Sequence, residues 1–234
     1  MKDSNIKEIE NKALLLYEKR IFSKAKRLFL RLLNKDSNNI AAHFYLTRIY
    51  CIENDIKKSI YHGLKTLKIN PNEKNANLNI GLSYELNKNY RRALYYYKKE
   101  IILYPSSQEA CYNIGNFFYE KNQWKKAIPY LEKCFQSKYK NNLDQTVYNL
   151  GTCYYKLRKI DLYISLYSRY LETNNNASWA AYNLAGAYFD NHQYHRAALM
   201  YSKARKLGIK KDTIKQIKKT LAKINSLKTF KVTK

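Results

Sequence analysis

The sequence has no long run of apolar residues, and its mean hydropathy is −0.65 although 45% of its residues are hydrophobic. A membrane-spanning helix needs about 20 consecutive apolar residues, so this composition argues against a membrane span. The first ten residues, MKDSNIKEIE, lack the basic and then apolar pattern of a secretory signal. We therefore expect the chain to remain in the cytoplasm.

Cysteines and the motifs of catalysis are also scarce. The four cysteines form no CxxC pair or other close spacing, which predicts reduced thiols and neither a zinc site nor a disulfide framework. The four histidines are scattered over different faces of the chain, and the pair His192 and His195 lacks a carboxylate or thiol at ligand spacing. No phosphate-binding loop, dinucleotide fingerprint, nucleophile elbow or HExxH motif is present. The sequence therefore predicts a non-enzymatic protein with no cofactor, no metal and no small-molecule substrate.

Acidic residues are few: 18 of them stand against 44 lysines and arginines, and the net charge is +26. Such a charge is typical of proteins that bind nucleic acid or an anionic membrane surface. The chain is also rich in Lys, Asn, Ile and Tyr, which an AT-rich genome would favour. The charge therefore reflects function, codon composition or both. Where the lysines and arginines lie on the fold distinguishes these explanations.

What the sequence has in abundance is helical periodicity. Residues 74–107 form two amphipathic segments joined by a short polar turn, with apolar residues at spacings of three and four. With residue 74 as position 1, Gly81 falls at position 8 and Ala93 at position 20, where two helices approach closely. Pro105, at position 32, closes the unit. The pattern indicates one unit of a helical repeat.

The same register returns along the chain. Gly115 and Gly151 take the place of Gly81 in later units, and Pro71 takes the place of Pro105 in an earlier one. Three of the six glycines and two of the three prolines thus fall on the register, which makes the repeat a strong signal. The first two units lack the glycine.

A 34-residue helix–turn–helix unit resembles the tetratricopeptide repeat, and six copies cover nearly the whole chain. The resemblance implies an all-α fold, a right-handed α-solenoid of helix–turn–helix repeats closed by a C-terminal capping helix. We predict one solenoid domain over residues 1–234, with repeats at 6–39, 40–73, 74–107, 108–143, 144–177 and 178–211, a capping helix at 212–227 and a loose tail at 228–234.

The repeat at 144–177 departs from the pattern. Tyr163, Tyr167 and Tyr170 occupy positions where small residues usually let the two helices close. Three rings need additional room, and Gly151 supplies only part of it. We therefore predict a wider helix separation in this repeat.

The last helix has one apolar stripe, formed by Ile214, Ile217, Leu221 and Ile224. Such a helix would cover the open face of the last repeat. The alternative is a basic amphipathic helix that binds lipid or an acidic partner.

The resemblance also implies a binding surface, because the first helix of each tetratricopeptide repeat lines the concave face. Position 6 of that helix is asparagine in four successive units. An amide can both donate to and accept from the main chain of an extended peptide, and neighbouring tyrosines are favoured interface anchors. The candidate peptide-binding residues are Asn79, Asn113, Asn149, Asn183, Tyr112, Tyr148, Tyr182, Asn116, Tyr119 and Tyr155. The open alternative is that asparagine is simply common at this position and that some of the rings pack between repeats.

The groove positions differ in charge from the rest of the chain. Their cations are Lys7, Arg48 and Lys156, and their anions are Glu10, Glu18, Glu85, Glu109, Glu120 and Asp190. Nucleic acid in the groove would need cations there, so the groove favours a neutral to basic segment, extended or helical, of another protein. The positive charge must lie outside it. The alternative function is therefore electrostatic docking of the convex basic face and the C-terminal helix onto nucleic acid or an acidic membrane.

Overall fold

The computed structural model describes residues 2–137, 141–209 and 211–232. These ranges contain thirteen helices and no strand. The helices are α1 Lys2–Glu18, α2 Phe22–Lys35, α3 Ile40–Ile52, α4 Ile56–Ile69, α5 Ala76–Leu86, α6 Tyr90–Leu103, α7 Gln108–Glu120, α8 Trp124–Gln136, α9 Leu143–Lys156, α10 Ile160–Thr173, α11 Ser178–Asp190, α12 Tyr194–Lys206 and α13 Lys211–Val232. None of these helices is both long and apolar enough to cross a membrane.

The helices stack in chain order within two compact units, Met1–Ile114 and Gly115–Lys234. In the first unit each helix from α1 to α6 packs on the next one, and in the second unit the same holds from α8 to α13. The predicted fold class, an all-α solenoid of helix–turn–helix repeats, is confirmed. The single domain over residues 1–234 stays a prediction. We call the first helix of each repeat its A helix and the second its B helix.

Each turn between an A helix and its B helix has a left-handed residue at position 15 of the repeat. These residues are Arg20, Asn54, Lys88, Asn122, Arg158 and His192, with φ between 56° and 61°. The left-handed residue ends the A helix, and the residue after it precedes the B helix. In the turn before α6, the side chain of Asn89 accepts a hydrogen bond from the backbone N–H of Arg92 at 3.2 Å and so caps the helix.

Two glycines at position 8 are required by rings from the B helix. A Cβ atom on Gly81 would lie 2.5 Å from the ring of Tyr97, and one on Gly151 would lie 2.6 Å from the ring of Tyr167. Both rings are almost fully buried. Glycine therefore lets a tyrosine fill the space between the two helices.

The repeat at 144–177, which has three inward tyrosines, packs its two helices less closely than four other repeats do. Tyr163, Tyr167 and Tyr170 are all buried between its helices. The helices α9 and α10 pack less closely than α1 with α2, α3 with α4, α5 with α6, or α11 with α12. The looser packing is in the direction expected from the ring volume, and the wider separation itself stays a prediction.

A cation covers the aromatic ring at position 11 in four repeats. The cation belongs to the B helix and follows the ring by eight residues, at distances of 5.3–5.8 Å between the charged atom and the ring centroid. The pairs are Tyr50 with Lys58, Tyr84 with Arg92, Phe118 with Lys126, and Tyr188 with Arg196. These cations join the A and B helices of a repeat.

The last helix packs its apolar stripe on the second unit. Ile217 and Ile224 are fully buried, and Leu221 packs against the same core. Lys215, Lys218 and Lys219 are exposed. The helix continues to Val232, so the predicted loose tail is helical over residues 228–232. No glycine or proline interrupts this stretch, and residues 233 and 234 lie outside the described part.

Candidate peptide-binding site

The ten predicted site residues fall in both units. Asn79, Tyr112 and Asn113 belong to the first unit, and the other seven belong to the second. The structure brings several members of the second group together on α7, α9 and α11.

In the first unit, the predicted asparagines lie close to buried groups. Asn79 is 8% exposed, and its Nδ2 has no hydrogen-bond partner among the described residues. Asn113 is half-buried and hydrogen-bonds the hydroxyl of Tyr97, which itself donates to Glu85. Tyr112 is half-buried. Only part of this asparagine row is therefore open to a ligand.

In the second unit, the asparagines form a hydrogen-bonded chain across two repeats. Gln145 Nε2 donates to Asn149 Oδ1 at 2.8 Å, and Asn149 Nδ2 donates to Asn116 Oδ1 at 3.0 Å. Asn116 Nδ2 then donates to Glu120 Oε1 at 2.8 Å. The amide atoms of Asn149 are thus occupied by protein groups, and the side chain has no exposed area. Asn149 was predicted to face a bound peptide, but it is buried beneath the surface. Its neighbours Gln145 and Asn116 satisfy its amide, so it supports the surface and is not open to solvent.

Asn183 contacts one of the inward tyrosines. Its Nδ2 donates to the hydroxyl of Tyr167 at 3.3 Å. Burial raises the pKa of Tyr167 to about 12, so this hydroxyl stays neutral at physiological pH. Asn183 is half-buried and retains some exposed area.

Aromatic side chains form the exposed part of the site. We call Tyr148, Tyr155, Trp179 and Tyr182 the α9–α11 aromatic surface. Tyr148 is 47% exposed and Tyr155 is 42% exposed, whereas Trp179 and Tyr182 are half-buried. The ring centroids of Tyr148 and Trp179 lie 6.5 Å apart. Aromatic side chains in such positions offer large contact area at low entropic cost.

Buried rings hold this surface in place. Tyr155 lies 6.0 Å from Tyr163, and Tyr163 lies 4.6 Å from Tyr167, between ring centroids. Tyr167 in turn contacts Trp179 at 5.9 Å. The buried tyrosines of the repeat at 144–177 thus form a series of ring contacts that connects the exposed rings to the core. Tyr119 is half-buried and packs edge-on against Trp124 at 5.4 Å.

The charges near the exposed rings are mixed. The predicted groove positions of the second unit carry two exposed carboxylates, Glu120 and Asp190, and one exposed cation, Lys156. The surface therefore does not share the strong positive charge of the whole chain. Within the described residues, no group of three or more histidine, cysteine or acidic side chains is placed to hold a metal ion.

Sequence reasoning missed a buried histidine pair. His43 and His62 were expected on different faces, but their Nδ1 atoms lie 2.8 Å apart. His43 Nε2 also contacts the carbonyl oxygen of Ser37 at 3.1 Å, which indicates that this nitrogen carries the proton. The residues occupy positions 4 and 23, which face each other between α3 and α4. Two polar residues at facing core positions were the signal that could have found the pair.

No family model matches the sequence, and no curated protein matches it. Solved structures do match. The C-terminal part of a tetratricopeptide-repeat protein from Cytophaga hutchinsonii is 18% identical, with a TM-score of 0.72, over 85% of this chain and 78% of that one. YrrB, described as a tetratricopeptide-repeat protein with an unusual peptide-binding site, is 18% identical, with a TM-score of 0.65, over 82% and 97%. MamA is 21% identical, with a TM-score of 0.60, over 74% and 94%.

The paired helices, their shared turn geometry and their chain-order packing define a helical-repeat protein. The similarity to these structures identifies its fold as that of the tetratricopeptide-repeat proteins.

Proposed function

We propose that the chain is a non-enzymatic protein-interaction module whose second unit binds an extended segment of a partner protein on the α9–α11 aromatic surface. The observation that carries this proposal is the exposure of Tyr148 and Tyr155, two rings that lie next to the half-buried Trp179 and the buried Tyr163 respectively. Pre-positioned rings lose little entropy when a partner covers them. The likeness to YrrB, described as having a peptide-binding site, supports the same general class.

The amide groups have two different roles in this proposal. The buried Asn149 fixes the neighbouring helices through Gln145 and Asn116. Asn183 keeps exposed area and supplies hydrogen bonds to the main chain of the bound segment. In the first unit, Asn79, Tyr112 and Asn113 are further candidate contacts; Tyr112 and Asn113 are half-buried, whereas the Nδ2 of Asn79 is buried.

The partner segment is neutral to basic in this proposal. Glu120 and Asp190 attract cationic side chains, and the faces of Tyr148 and Tyr155 bind them by cation–π contact. Nucleic acid is disfavoured at this site because Lys156 is the only cation at the predicted groove positions of the described second unit.

Selection from a random peptide library followed by affinity measurement tests the proposal. Peptides selected on the wild-type chain are expected to be rich in basic residues. Their affinity, measured by fluorescence polarisation at 300 mM salt or above, should fall about 10-fold or more in the double variant Tyr148→Ala, Tyr155→Ala. Both side chains are partly exposed, so the variant should keep its fold, which circular dichroism verifies.

The matched control is the double variant Leu162→Ala, Leu199→Ala. These side chains are 45% and 53% exposed and lie on the B helices of the same unit. Their removal should leave the affinity within about 2-fold. Selected peptides that bind the tyrosine variant as tightly as the wild type would contradict the proposed surface.

A further inference from the structure

The B helices of the first unit are rich in cations and nearly free of acidic residues. The helices α2, α4 and α6 contain thirteen lysines and arginines and a single acidic residue, Glu100, which is fully buried. The B helices α8, α10 and α12 of the second unit contain eight cations and three acidic residues. The B helices of the first unit therefore offer cations with almost no acidic side chain among them.

Equivalent positions of the three helices present basic and aromatic side chains outwards. Positions 22 and 26 of successive repeats hold Arg27 with Arg31, Tyr61 with Lys65, and Tyr95 with Lys99, which we call the basic–aromatic face. Tyr61 is 54% exposed and Tyr95 is 53% exposed. A linear polymer that crosses the helices would meet one such pair in each repeat.

The cations of this face have no carboxylate partners among the described side chains of the first unit. Two carboxylates of the unit are engaged with other cations: Glu53 pairs with Lys26 at 2.6 Å, and Asp55 pairs with Lys58 at 2.7 Å. The charge of the basic–aromatic face is therefore not neutralised within the unit.

Each exposed tyrosine has an ammonium group over one face of its ring. Lys65 Nζ lies 5.6 Å from the ring centroid of Tyr61, and Lys99 Nζ lies 4.8 Å from that of Tyr95. A nucleobase stacked on the opposite face of such a ring would have an ammonium group within reach of its phosphate. Stacking rings that alternate with backbone-neutralising cations are the arrangement that single-stranded nucleic acids require.

We propose that the basic–aromatic face of the first unit binds single-stranded nucleic acid. This function is independent of the peptide site on the second unit. An anionic membrane is the other polyanion with a matching charge. Lipid binding would use the positive charge alone, whereas a strand of nucleic acid would also use the pairing of ring and cation, with a base on the ring and a phosphate at the cation. The geometry therefore favours nucleic acid.

The proposal is tested with the full chain and a fluorescein-labelled RNA of 20 uridines, by fluorescence anisotropy over a series of salt concentrations. The charge variant replaces four cations by glutamine, at Arg27, Arg31, Lys65 and Lys99. Its affinity should fall at least about 10-fold, and the slope of log affinity against log salt should weaken by roughly 3, since each phosphate contact contributes about 0.7.

A second variant, Tyr61→Leu with Tyr95→Leu, tests stacking separately from charge. Its affinity should fall about 5-fold or more for each ring, with an unchanged salt slope. Unchanged affinity in this variant would overturn the assigned contact. Circular dichroism and thermal denaturation verify that each variant is folded.

The matched control removes four exposed cations elsewhere, at Lys125, Lys133, Lys218 and Lys219. It has the same net charge as the charge variant and should bind the RNA within about 2-fold of the wild type. An equal loss in both variants would overturn the proposal, because net charge alone would then explain the binding. A wild-type chain that does not bind the RNA would also overturn the proposal. If that chain binds vesicles that contain phosphatidylserine, the basic–aromatic face is a membrane site instead.

Discussion

Arg92 covers the ring of Tyr84, with its guanidinium carbon 5.4 Å from the ring centroid. The ring is only 6% exposed. The same pairing, a ring followed by a cation eight residues later, occurs in three other repeats. Part of the positive charge of the chain is therefore used in packing a B helix on its A helix, and it is distinct from the charge of the basic–aromatic face.

The repeat at 144–177 lacks this cation, which gives a first prediction. Its ring is Tyr154, and Leu162 stands at the position of the cation with 45% of its surface exposed. Replacement of Leu162 by Arg should raise the free energy of unfolding by about 0.5–1 kcal/mol, through a new cation–π contact. Urea denaturation measures the change. The neutral control is Leu162→Gln, and an arginine variant no more stable than the glutamine variant would contradict the role given to the pair.

Periodicity predicted the repeats because it depends on local spacing. The glycines at positions 81, 115 and 151 marked the helix contacts, and the rings at positions 163, 167 and 170 predicted the looser repeat. These features are repeated or bulky, so they can be recognised without knowing which distant residues meet.

The candidate site was less predictable because it depends on pairing between helices. Asn149 matches the peptide-binding pattern in sequence, yet Asn116, which lies 33 residues earlier, accepts a hydrogen bond from it. The sequence equally gave no sign that the carboxylate of Glu100 would meet the start of α5. Such partners are chosen by tertiary packing, which the repeat register alone does not specify.

The buried pair of His43 and His62 predicts a loss of stability in acid. Burial, together with the charges of His43 and Lys58, lowers the pKa of His62 from 6.5 to about 4. The unfolded chain therefore takes up a proton at higher pH than the folded chain. The stability of the neutral pair is fully present above pH 6.5 and is lost as the pH falls towards 4, by about 3 kcal/mol in total.

Urea denaturation between pH 7 and pH 4 measures this loss. The variant His62→Gln should be less sensitive to pH over this range than the wild type, because one of the two buried titrating groups is gone. The variant His195→Gln is the control, since His195 is exposed, and it should retain the wild-type pH dependence. An identical acid response in all three proteins would contradict the role of the pair.

Glu100 caps a helix that has no capping side chain of its own. Its carboxylate accepts hydrogen bonds from the backbone N–H groups of Asn75 at 3.0 Å and Leu78 at 3.4 Å, at the start of α5. The side chain is fully buried, and this burial raises the pKa of its carboxyl. Glu100→Ala leaves the N–H groups without a partner and should cost about 2–4 kcal/mol of unfolding free energy.

Glu100→Gln is the matched variant for this cap. Its amide oxygen can still accept one of the two hydrogen bonds, so the loss measured by urea denaturation should be clearly smaller than for alanine. Equal losses in the two variants would show that the carboxylate does not act as a hydrogen-bond acceptor at this helix start.

Two glycines of the second unit should respond in opposite directions to alanine. A Cβ atom on Gly151 would lie 2.6 Å from Tyr167 Cε2, and this ring is buried and unable to move aside. Gly151→Ala should therefore cost about 1–3 kcal/mol through overpacking. The nearest atom to a Cβ on Gly186 is the Tyr201 hydroxyl oxygen at 3.8 Å, so Gly186→Ala should stabilise the helix by up to about 1 kcal/mol.

The contact with Tyr167 is isolated by a double-mutant cycle. In a chain that already carries Tyr167→Leu, the change Gly151→Ala should lose its cost, because the clashing ring is absent and alanine favours the helix. Free energies of unfolding from urea titrations of the four proteins give the coupling. A cost that persists with leucine at position 167 would show that the helix backbones, and not this ring, require glycine at position 151.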